Sequence, residues 1–175
     1  TQGQQIKVYS QVYRYCMEAN IVVEKDGYVG NDTYTGAYVV DPVPGVYDMV
    51  VPFDFASLYP TTIIAYNIDY STLVPTDSRV PDSECHVIEW EDHVGCEHDA
   101  KKTPKSVCAK HRFRFLRKGL GVIPTIIKNL LDARKQVNMQ IKELRRRGAS
   151  QVEIDVLDKR QLSYKVSANS MYGAM

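Results

Sequence analysis

Apolar residues in the C-terminal third of the chain recur at the period of an α-helix. Ile123, Ile127, Leu130, Val137, Ile141 and Leu144 step by four and three, with Arg134 in the one slot left polar, and predict a helix over 122–147. Pro124 sits near its start, Arg145 to Arg147 complement the negative end of its dipole, and Gly148 suits a left-handed closing residue. Ser150 and Glu153 then form an S-x-x-E capping box for a second helix over about 151–171. So short a turn makes the pair an antiparallel hairpin. At the other end, Ile6, Tyr9, Tyr13 and Cys16 or Met17 predict one apolar stripe on a helix over 4–19. Strand signals follow at 21–30 and 33–40, rich in Val, Tyr and Thr, with Asn31-Asp32 as the turn between them. Asp41-Pro42 and Pro44-Gly45 punctuate the next turn. Residues 47–55 (YDMVVPFDF) predict a buried strand, with Pro52 implying an edge or a bulge, and Pro60 suits the first turn of a helix over TTIIAYN, 61–67.

Between about 75 and 118 no period holds. Three prolines, all four histidines and three of the four cysteines fall there, which predicts an insertion with a small organisation of its own. The whole reads as an α+β fold.

Composition narrows the classes. Among 175 residues, 44% are hydrophobic and 25% charged, as in a globular domain, and no apolar run reaches the roughly 20 residues of a membrane span. The net charge of +1 excludes a basic tail protein, so any nucleic-acid contact must be local. Four cysteines are too few for a disulfide scaffold and favour a reducing compartment. The opening TQGQQIKVYSQ resembles no targeting segment and the final NSMYGAM stops straight after a helix, so the sequence reads as an internal piece of a longer protein.

Candidate chemistry clusters on the hairpin. Gln161, Lys165, Asn169 and Tyr172 share one face of the second helix, while Arg134, Asn138 and Lys142 form a polar ridge on the first. Facing one another, these ridges would offer Arg and Lys to one polyanion, with the Arg fork suited to phosphate. Two solvated helix faces give the same pattern. Asp54 ends an apolar strand, where a carboxylate needs a partner, a metal or a capping role.

DFASLYPTTI at 54–63 and KVSANSMYG at 165–173 resemble motifs A and B of the family B (alpha-type) DNA polymerases. GVIPTIIKNLLDARKQVN resembles that family's first fingers helix, and YTGAYVVDPVPGVYD its strand and turn before motif A. The wording is nearest to polymerases of large DNA viruses of algae. The resemblance covers nearly everything outside 76–118. It implies a palm portion at 1–75, the insertion at 76–118, and fingers helices at 119–148 and 149–175, the second returning to the palm. The implied activity is template-directed deoxynucleotidyl transfer to a primer 3′-end in viral DNA replication, with primer-template DNA and dNTPs as partners. It also implies an intracellular site (host nucleus or viral replication site), with a processivity factor as a further possible partner and no membrane role.

In that family two Mg²⁺ ions roughly 4 Å apart serve the reaction. Asp54 and the Phe55 carbonyl would be metal ligands, and Ser57, Leu58 and Tyr59 would meet the triphosphate at a helix start. Tyr59 would also exclude a 2′-hydroxyl. Arg134, Lys165 and Asn169 would hold the phosphates, Lys165 would be the proton donor to the leaving pyrophosphate, and Tyr172 and Gly173 would lie against the nascent base pair. Many relatives carry a second basic residue where this chain has Asn138; Lys135 or Lys142 are the candidates to replace it. Asp54 is the only identifiable metal carboxylate: Asp69, Asp132, Asp155 and Asp158 lie on or beside helices, so these residues alone are not expected to polymerise DNA.

Cys96, His98, Cys108 and His111 supply enough ligands for a tetrahedral zinc, at a spacing that is not a usual one, and a solvated loop with incidental Cys and His fits the same segment. Two rivals to an active polymerase remain on sequence: a non-catalytic nucleic-acid-binding module built on the hairpin, and an inactive polymerase paralogue.

Overall fold

The computed structural model describes residues 2–23, 39–92 and 109–173. Its elements run α1 (Gln2–Glu18), α2 (Leu58–Tyr66), a single 3-10 turn (Asp82–Glu84), β1 (Cys85–Asp92), β2 (Ala109–Leu116), α3 (Val122–Arg146) and α4 (Gln151–Ser170). Among the described residues the fold is therefore α+β, four helices and one antiparallel two-stranded sheet. No helix among them is long and apolar enough to cross a membrane.

The α3–α4 hairpin forms where the period and the caps place it. Ser150 Oγ accepts from the Glu153 amide, and the Ser150 amide donates to Glu153 Oε2 at 3.1 Å, closing the capping box. Gly148 stands at φ +70°, a left-handed conformation that glycine adopts without strain, and the Ala149 amide reaches back to the Leu144 carbonyl at 3.0 Å. Arg146 and Arg147 both fold onto Glu143, whose carboxyl they hold below its usual range.

Two separate cores result. At the base, Val8 and Cys16 of α1, Ile63 of α2, Val122, Ile123, Ile126 and Ile127 of α3, and Met171 after α4 pack together. Nearer the tip, Val137, Ile141 and Ile154 close against Leu144, Leu157 and Tyr164, all from the hairpin itself. Each fully buried aliphatic side chain contributes about 1.5–3 kcal/mol.

On α1 the stripe is not the one expected. Ile6, Tyr9, Tyr13 and Met17 are exposed, Met17 by 79%, and of that set only Cys16 is buried. The inward face is Val8, Val12, Tyr15 and Cys16. Both rows have helical spacing, and the tyrosine row can keep its hydroxyls in water, so the aliphatic row takes the core. Packing pushes the Cys16 thiol up, and the nearby Asp69 carboxylate adds to the effect.

The buried strand expected at 47–55 is also absent. Residues 39–57 carry no helix or strand, and Val46, Met49 and Phe53 are each more than 90% exposed. A strand is defined by its pairing partner, and among the described residues the only sheet is β1 with β2, so nothing pairs with this segment. Of the two strands expected at 21–30 and 33–40, most residues lie outside the described ones.

The segment without a period holds the sheet. β1 and β2 pair from Cys85 with Leu116 to Asp92 with Ala109. The hairpin is tied to the chain after α2, because Val74 donates to the Arg114 carbonyl at 2.8 Å and Leu116 to that of Thr72 at 2.9 Å. Buried Arg114 holds the intervening loop by donating to the carbonyls of Val80 and Pro75.

A buried polar clamp fixes the start of α3. Asn67, ending α2 in the left-handed conformation, donates to the carbonyls of Leu116 and Gly119 and accepts from the Gly121 amide. Asp69 accepts from the amides of Val122 and Ile123 at 3.3 and 3.0 Å. The next residue, Pro124, has no amide proton, so the four orphan positions at the helix start are accounted for by the Asn67 amide oxygen, one carboxylate and one proline.

Candidate functional site

α2 is preceded by Ser57, which holds the N-cap position at φ 55° and whose hydroxyl caps nothing. The amides of Leu58 and Tyr59 consequently have no acceptor among the described residues, and Pro60 has no amide proton to offer. Two free donors at the positive end of a helix suit an anion. Tyr59, one residue into that turn, stacks on Tyr172 with ring centroids 4.3 Å apart and planes 14° from parallel. This contact joins the segment after residue 54 to the end of α4.

On the hairpin, Arg134 Nε donates to Gln161 Oε1 at 3.0 Å, so the two polar ridges do face each other there. Gln161 in turn donates to Asp158. Only Nε of the Arg134 fork is used, and its terminal nitrogens have no acceptor among the described residues. Lys165 is exposed one turn beyond Gln161, and half-buried Asn169 follows one turn later. Ala168 beside this row and Met171 just after α4 are both fully buried, so they anchor the end of the helix against the base. Gly173 is exposed in the turn after Tyr172. Beside Arg134, an open groove of about 430 Å³ is lined by Leu131, Arg134, Lys135, Asn138, Met139 and Lys142.

Asp54 and Phe55 stand apart from these contacts. Both are exposed, and Asp54 makes no hydrogen bond or ion pair with a described residue; it does not cap α2, since Ser57 holds that position. A free carboxylate beside a backbone carbonyl is a hard oxygen donor set, which fits Mg²⁺. Among the described residues no three Asp, Glu, His or Cys side chains gather into a metal site. The other carboxylates weighed for that role are engaged elsewhere: Asp69 caps α3, Asp132 pairs with Lys128, Asp155 accepts from Gln151 and Asp158 from Gln161.

Of the four residues considered for zinc, Cys96, His98 and Cys108 lie outside the described residues. His111 lies on β2 with its ring stacked on Trp90, centroids 4.8 Å apart. Sequence reasoning missed the clamp from Asn67 and Asp69, which sets where α3 and therefore Arg134 begin. The available signal was that α3 opens on Gly121 with no capping side chain of its own, so its acceptors had to come from elsewhere.

The chain matches the model of DNA polymerase family B over residues 1–175. It is 43% identical to DNA polymerase 120R of Invertebrate iridescent virus 3, across 99% of this chain and 20% of that protein. It is 37% identical to the DNA polymerase of Red sea bream iridovirus, across 100% of this chain and 23% of the relative. The DNA polymerase delta catalytic subunit of Plasmodium falciparum is also 37% identical, across 99% of the chain and 14% of the subunit. The chain thus spans about a fifth of the viral relatives' length. These viruses are iridoviruses and not viruses of algae, which corrects the lineage read from motif wording; motifs shared by a whole family discriminate poorly within it. Since the match runs from the first residue to the last, the chain belongs to DNA polymerase family B.

Proposed function

We propose that these residues are part of a DNA-directed DNA polymerase acting in viral DNA replication inside the host cell. Residues 1–75 would belong to its palm, 76–118 to a variable insertion, and 119–148 and 149–175 to the fingers hairpin. The observation that carries this reading is the Tyr59–Tyr172 stack, which puts the two family motifs in contact although they are more than a hundred positions apart in sequence.

The roles follow from the chemistry of each group. The free amides of Leu58 and Tyr59, with Ser57, meet the triphosphate of a dNTP. Arg134 and Lys165 balance its charge from the hairpin, and Asn169 supports them. Lys165 gives a proton to the pyrophosphate oxygen as its bond to the α-phosphorus breaks. Asp54 and the Phe55 carbonyl would hold Mg²⁺, which when bound supplies activation of the primer 3′-hydroxyl and neutralisation of the leaving group. Tyr172 and Gly173 lie along the nascent base pair, on primer-template DNA.

Tyr59 then has its ring clamped beneath the incoming sugar. In the full-length polymerase Tyr59→Val is expected to lower the preference for dNTPs over rNTPs by at least about tenfold, the scale at which one excluded group discriminates. Steady-state incorporation of matched dNTP and rNTP pairs measures it, and an unchanged ratio removes Tyr59 from the sugar-sensing role.

These 175 residues by themselves are expected to extend no primer. Asp54 is one carboxylate where two divalent ions must be held in register, and positioning supplies most of the catalysis in such transfers. Primer extension by the purified chain, abolished by Asp54→Ala so that contamination is excluded, would refute this.

A further inference from the structure

Several arginines of this chain lean on carboxylates. Arg14 pairs with Glu18, Arg112 with Asp82 and Glu89, and Arg146 and Arg147 share Glu143. Arg134 is held differently. It fills the polar slot in the apolar stripe of α3, half-buried, and its Nε donates across the hairpin to Gln161 Oε1 at 3.0 Å. It makes no ion pair with a described carboxylate, although Asp158 stands one turn from Gln161 on α4. Both neighbours favour the same orientation of the Gln161 amide. Its oxygen accepts from Arg134 while its nitrogen donates to Asp158 Oδ1 at 3.2 Å. Turned over, it would set donors against the guanidinium and an acceptor against the carboxylate.

From this geometry we infer that Gln161 is a positioning residue for Arg134, and that its neutrality is what the site uses. An arginine with no partner samples many rotamers, and freedom already removed is not lost again when an anion arrives. A carboxylate at position 161 would hold the fork equally well. It would also cancel the positive charge and set a second anion beside Asp158. The amide instead orients the guanidinium through Nε and leaves its full charge, with both terminal nitrogens, for an incoming anion. Gln161 acts on the nucleotide through Arg134 alone, so the inference rests on reading Arg134 as a triphosphate contact.

The test is single-nucleotide incorporation by the full-length polymerase over a range of dNTP concentrations. Gln161→Met keeps the length of the side chain and the helix preference but removes the acceptor. It is expected to raise the dNTP KM by about fivefold, the scale of one partly exposed hydrogen bond, with kcat changed by less than about twofold. Gln161→Glu keeps the acceptor and is expected to raise KM further, because it neutralises the cation. In an Arg134→Lys background, which has no Nε, Gln161→Met should add nothing. A role in folding alone would lower the active fraction and leave KM where it is, and active-site titration with primer-template DNA separates the two. An unchanged KM in Gln161→Met overturns the proposal. So does a Gln161→Glu enzyme equal to wild type, or the same loss with and without the Arg134 guanidinium. If Arg134→Ala itself leaves KM unchanged, the phosphate reading of Arg134 fails and the proposal falls with it. If Arg134→Ala raises KM and Gln161→Met does not, the proposal alone fails.

Discussion

Lys165→Ala in the full-length polymerase is expected to slow single-turnover nucleotide incorporation by at least about a hundredfold, the scale of losing general-acid assistance. The side chain stands exposed on α4, one turn from Gln161, which holds Arg134 at 3.0 Å, and one turn from Asn169. It is the only cation in that row, so no neighbour on the same face can take over its proton. On the proposed roles, binding should suffer less than rate, because Arg134 and the amides at the start of α2 would still be there to hold the triphosphate. A larger change in kcat than in KM therefore marks the predicted role. Rapid-quench measurement decides: incorporation at wild-type speed would remove Lys165 from the chemistry.

The second large effect is on stability and concerns no substrate contact. Asp69→Ala is expected to cost about 3 kcal/mol, since it strips the acceptors from two buried amides at the start of α3 and removes a negative charge from the helix's positive end. Gly121→Ala attacks the same point from the other side. A Cβ there would lie 2.6 Å from that of Asp69, a contact real side chains do not make, and about 2 kcal/mol should be lost as the carboxylate is displaced. Urea denaturation of the 175-residue chain measures both through the midpoint at constant slope. A midpoint unmoved by Asp69→Ala would show that the clamp does not hold the helix.

The hairpin was legible in the sequence because all its determinants are local. Period, capping box and left-handed glycine each lie within a few residues of what they specify, and α3 and α4 begin and end within a residue or so of expectation. Burial on α1 was not legible, since two apolar rows share its spacing and only packing against Ile63 and Ile127 chooses between them. The segment at 47–55 has the composition of a buried strand, yet hydrophobicity reports a preference for burial and says nothing about a pairing partner. The clamp was invisible for a related reason: Asp69 and the amides it accepts from are more than fifty positions apart. Among the site residues, Arg134 and Gln161 were readable as facing ridges. The Tyr59–Tyr172 contact needed the fold, because no local pattern links them.

The separation of the two cores has a mechanical consequence. The α3–α4 hairpin is a cantilever: α3, 25 residues long and so about 37 Å, is built in at the base, while among the described residues the apolar side chains of its outer part pack on its own partner helix. Arg134 rides this beam roughly 20 Å from the support at Gly121. An angular error of about 3° at the base becomes about 1 Å at the guanidinium, and errors of that size can cost such reactions a hundredfold in rate. The bonds from Asn67 and Asp69 therefore set an angular tolerance. Substitutions that merely loosen them, without unfolding anything, should register first as lost precision at Arg134.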